Sequence, residues 1–140
     1  MASVFFTKAK ALFANAGVNW ASADIRVALS TSYTPDVDAH QYLSSMTNEC
    51  TGGNYVRKAL ANKAVTEDGT NHCAVLSADN VTWTALNCGT PAVIVVYLYN
   101  ASDAAAPIIG VLDPTDTASN GGDWVAKWNN GASSGALFTI

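Results

Sequence analysis

Ionisable side chains are scarce in this sequence. Lys, Arg, Asp and Glu make up 13% of its 140 residues, about half the roughly 25% of ordinary soluble domains. The seven basic residues are scattered, with only Lys8/Lys10 and Arg57/Lys58 close together, and the formal net charge is −4. Without a basic stripe there is nothing to neutralise a run of phosphates, which argues against a nucleic-acid partner. Hydrophobic residues reach 49%, so Ser, Thr, Asn and Gly, or other protein chains, must cover a surface so short of charge. Such a composition suits a domain that lives in an assembly; a solitary adhesive or secreted β-protein shares it.

Long apolar runs are missing too. The amino-terminal stretch MASVFFTKAKALFANAG is interrupted by Lys8 and Lys10, and the longest apolar run, PAVIVVYLY, is far too short to span a bilayer. Neither a signal peptide nor a membrane helix is expected, and the chain reads as one made and kept in a cytosol. The three cysteines, Cys50, Cys73 and Cys88, form no C-x-x-C and are odd in number. They read as reduced, mostly buried thiols. A single domain of this length reaches a working core without metal or disulfide.

Catalytic equipment is equally thin. His40 and His72 are the only histidines, and no Gly-x-Ser-x-Gly elbow accompanies them. The glycine-rich turns TGGN and NGGD lack the Lys-Ser/Thr of a phosphate loop. One stretch stands out: YTPDVDAHQYLSSM, residues 33–46, sets Asp36, Asp38 and His40 at alternating positions. On a strand those three would point one way, as a metal or acid–base site requires. Pro35 and the loss of apolar alternation make this a poor strand. The better parse ends a strand near Tyr33, turns at Thr34–Pro35–Asp36 and starts a short helix, with Asp38 as N-cap and Gln41 completing a D-x-x-Q capping box. Tyr42, Leu43 and Met46 then form its buried face. Asp36 and His40 diverge in that geometry, so no catalytic residue, metal or cofactor is expected.

What is present is strand pattern. Apolar residues at three- and four-residue intervals predict one long helix, from about Val4 to Ala16, with Ser3 as N-cap and Gly17 as its stop. From Asp24 the period becomes two: Ile25, Val27 and Leu29 alternate with Arg26, Ala28 and Ser30 as a half-buried strand. Further strands are expected at 55–60, 63–66, 73–77, 81–85, 93–99, 108–112, 124–128 and 137–140. The turn signals TGGN, EDGTN, NCGTP, NASDAAAP, DPTDTASNGGD and NNGASSG separate them. AVIVVYLY, apolar on both faces, predicts a covered central strand. ASDAAAP and DPTDTASNGGD read as mobile tips. The fold class is mainly β: a single antiparallel β-sandwich or barrel-like domain, residues 1–140, with an N-terminal helix and a short second one.

The segments DIRVALSTSYTPDVDAHQYLSSM, GGNYVRKALANKAVT, ADNVTWTA, AVIVVYLYN and PIIGVLD, followed by a Trp-bearing strand and GALFTI, run through most of the chain. Together they resemble a family of small virion structural proteins of tailed bacteriophages, usually taken as head-decoration (capsid cement) or minor structural proteins. Members often carry a longer charged insertion after the short helix, where TNECTGGNY is brief and nearly uncharged. The resemblance implies a non-enzymatic protein that binds the major capsid protein, forms a homotrimer at threefold positions, and resides on the virion head after synthesis in the host cytoplasm.

Two groups of residues are candidates for partner contact, although their chemistry favours the core. Phe5 and Phe6, with Tyr42, Leu43 and Met46, offer more apolar surface than small satellite elements need. Trp124 and Trp128 share a strand face that could stack sugars; with the mobile loops, this is the basis of an alternative reading as a tail-associated receptor- or glycan-binding module.

Overall fold

The computed structural model describes residues 2–128 and 135–140. It is mainly β, 35% strand against 11% helix, with antiparallel sheets in a β-sandwich-like arrangement. Ala2–Phe5 (β1) leads directly into the helix Thr7–Ala14 (α1). Next come Ile25–Ser30 (β2), Lys58–Ala59 (β3), Ala64–Asp68 (β4), Cys73–Ser77 (β5) and Val81–Trp83 (β6). Val93–Leu98 (β7), Ile108–Asp113 (β8), Trp124–Ala126 (β9) and Ala136–Thr139 (β10) complete the strands, and Leu43–Ser45 and Asp103–Ala105 form 3₁₀ turns. The sheets are β1-β8-β7-β2-β3, β10-β5-β4 and β6-β9. Of the turn signal NNGASSG, only Gly135 lies within the described residues.

β7 is the central strand that its two-sided apolar run implies. It pairs with β2 and β8, and Ile94, Val95, Val96 and Tyr97 are all buried. β2 is less one-sided than its alternation suggests, because Ala28 and Ser30 are buried along with Ile25, Val27 and Leu29. Burying Ser30 requires partners for its hydroxyl. Its Oγ donates to the Thr47 carbonyl at 2.8 Å and accepts from the Tyr33 N–H at 3.0 Å.

The expected helix from Val4 is corrected at its start. Ala2–Phe5 pairs with Gly110–Asp113 of β8, so a long-range ladder overrides helical spacing. Ser3 is therefore a strand residue, and Phe6 holds the N-cap position without a side-chain cap. β8 helps set this junction. Its register against β7 slips between Val96 and Tyr97, leaving Ile109 as the extra residue of a bulge. The Ile109 carbonyl accepts the Phe6 N–H at 2.9 Å, where strand gives way to helix.

At its far end the helix closes in a Schellman motif. Ala16 takes the left-handed position (φ 55°), and Gly17, one residue beyond, donates to the Leu12 carbonyl at 2.7 Å. The expected strand over 55–60 shrinks to Lys58–Ala59. Upstream, the Tyr55 hydroxyl rather than its backbone meets β2, accepting the Leu29 N–H at 3.0 Å.

The β10-β5-β4 sheet meets the five-stranded sheet at Gly110. A Cβ there would lie 2.5 Å from the Val4 carbonyl oxygen and 2.6 Å from Cε1 of Phe138. Phe138 in turn meets Phe5 and Trp20 edge-on, with ring centroids 5.4 and 6.4 Å away. Neither the backbone oxygen nor this boxed-in ring can yield readily. Gly110→Ala is expected to cost about 1–3 kcal/mol by overpacking, measured by urea unfolding. Gly69→Ala, whose Cβ would meet nothing within 4 Å, should stay within about 0.5 kcal/mol.

Candidate functional site

The 33–46 corner is built by backbone capping, with the roles of its acids exchanged. Asp36, not Asp38, supplies the cap: its Oδ1 accepts the N–H groups of Asp38 (3.1 Å) and Ala39 (3.0 Å). Those bonds, Ala39 first, hold the Asp36 carboxyl below its ordinary pKa. The Asp38 carboxylate reaches across to α1 and accepts the Thr7 hydroxyl at 2.6 Å. Gln41 extends its amide to the Asp38 carbonyl at 3.5 Å and completes no capping box. The short second helix is correspondingly reduced to the 3₁₀ turn Leu43–Ser45.

His40 Nδ1 receives the Asp36 N–H at 3.2 Å and lies 2.9 Å from the Tyr33 hydroxyl, with the two rings stacked. Burial pushes the Tyr33 phenol up to about 12, so it remains a neutral donor. The three side chains thus serve three different local bonds. Among the described residues no group of three His, Cys, Asp or Glu is placed to hold a metal ion.

The candidate contact residues divide by burial. Phe6, Leu43, Trp124 and Trp128 are buried within this chain, and Phe5, Tyr42 and Met46 are partly covered. Trp128 lies beyond the end of β9, so the shared strand face with Trp124 does not form. Both indoles are anchored: Trp124 Nε1 donates to the Thr117 carbonyl at 3.0 Å and Trp128 Nε1 to that of Asp79 at 2.6 Å. Trp20 and Trp83 do the same with Ser77 and Val56. All four rings are core posts that pin passing backbone.

The two expected mobile tips are also fastened. Cys88 N donates to Ser119 Oγ at 2.8 Å, and across the 85–89 and 119–122 loops the Leu86 N–H donates to the Gly122 carbonyl at 3.0 Å while the Leu86 carbonyl accepts the Gly121 N–H at 2.8 Å. Asp103, within ASDAAAP, is held by Arg57 through bonds of 2.8 and 2.9 Å. The same guanidinium grips Glu49 at 2.7 Å through Nε and Nη2, and Glu49 also accepts the Tyr55 hydroxyl at 2.8 Å. Glu49 and then Asp103 raise Arg57 above its ordinary pKa, while Arg57 lowers that of Asp103. Nothing local signals this network, because Arg57 and Asp103 stand 46 residues apart.

All three cysteines are free thiols, with Cys50 buried and the other two partly exposed. Burial pushes the Cys50 thiol up, which keeps it unreactive. Among the described residues no helix is long and apolar enough to cross a membrane. No family model, curated protein or solved structure matches the chain.

Two outcomes follow from these bonds. Arg57→Met should cost about 1–3 kcal/mol in urea unfolding; Glu49→Gln should cost more than Asp103→Asn, whose carboxylate is the more exposed. The second outcome concerns acid. Asp24, Asp36, Asp68 and Asp103 all have lowered folded pKa values. Their stabilisation is complete above the unfolded pKa of about 3.9 and is lost as pH falls through the folded values. Asp36→Asn, which keeps a capping oxygen but no proton to bind, should show a shallower acid limb in melting temperature against pH. Asp36→Ala should melt lower at neutral pH as well.

Proposed function

We propose that this chain is a structural protein of a tailed-bacteriophage virion, of the head-decoration type, which binds the major capsid protein of an assembled head and stabilises the shell. The sequence resemblance motivates the reading. The observation that carries it is where the few charges go. Arg26, Arg57, Asp24, Asp36, Asp68 and Asp103 are each bonded to groups of the chain itself. Much of the remaining exterior is Ala, Ser, Thr, Asn and Gly. A surface of that kind is covered without stripping water from many ions, so a broad contact carries a small desolvation penalty.

Stabilisation of the head would be mass-action linkage: a protein that binds only the assembled shell shifts the equilibrium toward it. No catalytic step or cofactor enters this reading, since Asp36, Asp38 and His40 are each occupied locally. The alternative of a receptor- or glycan-binding tail module rests on Trp124 and Trp128 as a stacking face and on the loops; both Trp rings are buried, so the loops are left to support it.

Purified protein added to mature heads lacking it should bind saturably and raise the temperature at which the shells come apart. Failure to bind expanded heads would overturn the proposal, and binding to host cells or glycans instead would favour the tail module.

A further inference from the structure

We infer that β4 is a self-association edge: two copies of this chain pair antiparallel through Lys63–Glu67, about a twofold axis at Val65. The inference stands independently of the virion reading. β4 is the outer strand of the β10-β5-β4 sheet, and its residues Ala64, Val65, Thr66 and Glu67 are all exposed. No other described strand has four consecutive exposed positions. Its ladder to β5 runs without a register slip, and the strand contains no proline, so two common devices that blunt an edge are missing.

The backbone directions follow from the neighbouring strands. Ala74 and Ile140 exchange N–H···O bonds of 2.8 and 2.9 Å, so Ala74 faces β10. Alternation then turns Cys73, Val75 and Ser77 toward β4, opposite Asp68, Thr66 and Ala64. The N–H and C=O groups of Val65 and Glu67 therefore aim at the open edge, with no partner among the described residues.

Charge chooses the register. In an antiparallel self-pair, outward-facing residues must oppose outward-facing residues. Centring on Glu67 sets two carboxylates face to face, which is unfavourable. Pairing Val65 with Glu67 sets an apolar side chain against a charge. Centring on Val65 sets valine against valine and brings each Lys63 opposite Glu67 of the other copy, giving two opposite-charge pairs at once. Lys63 Nζ now rests 3.3 Å from the Leu60 carbonyl, a bond that rotation of its side chain releases. The apolar surface continues beside the strand. Val65 and Ile140, 52% and 49% exposed, line one depression with Phe13. A self-complementary patch of this sort closes on itself as a twofold contact, whereas a threefold ring needs two different patches.

Sedimentation from low micromolar to about 1 mM protein tests this. The chain should pass from monomer to dimer with rising concentration. Val65→Pro removes only an outward N–H and leaves the β5 ladder intact, so it should stay monomeric with an unchanged circular-dichroism spectrum. Should that variant fail to fold, charge exchange decides the matter. Lys63→Glu should weaken the dimer by roughly tenfold or more, and adding Glu67→Lys should restore it. A wild type that is monomeric throughout, a mass of three chains, or a Lys63→Glu variant that associates as the wild type does would overturn the inference.

Discussion

A small β-domain has many strand edges and little chain with which to cover them, and every exposed edge is a row of backbone donors and acceptors that must be met. That constraint shapes this molecule. The outer side of β2 is met piecemeal: by the short strand β3, by the Tyr55 hydroxyl at Leu29, and by Cys50 and Asn48 through single backbone bonds. The other flank of the same sheet is closed by the chain's own beginning, β1 against β8. Once these are in place, β7 lies fully inside and the core can be apolar on both of its faces.

Side chains make up what strands leave undone. Glu49 and Arg57 convert a loop of no regular structure into a fixed wall by joining the Tyr55 hydroxyl to the Asp103 turn. The indole N–H groups work likewise, each ring filling the interior while its one polar atom holds a carbonyl. Scarcity of charge and firmness of loops are thus linked, since much of the little charge the chain has is engaged in bonds within the chain. Lys8 and Arg26 extend the pattern by lying over the rings of Tyr42 and Tyr99.

Most strands were legible in the sequence because period-two alternation reports directly which face is covered. The central position of β7 was legible for the same reason. What escaped was settled by partners far away along the chain. Val4 and Phe5 carry helical spacing, yet β8 claims them within the strand Ala2–Phe5. Tyr55 and Val56 read as strand, yet a hydroxyl and a carbonyl, not a ladder, connect them to β2 and Trp83. At the corner, sequence found the right chemistry and the wrong residue. D-x-x-Q resembles a capping box, but a turn opening at Asp36 places that earlier carboxylate under the free N–H groups. The fastening of ASDAAAP was invisible, because small residues look alike whether or not an arginine elsewhere holds their one acid.

The pairing of β1 with β8 also has a bearing on how the protein is made. Ala2 finds its partner in Asp113, so β1 waits for more than a hundred further residues before its ladder can form. Closure of the large sheet therefore rests on a contact between segments far apart along the chain, and non-local pairing of that kind is slow to form.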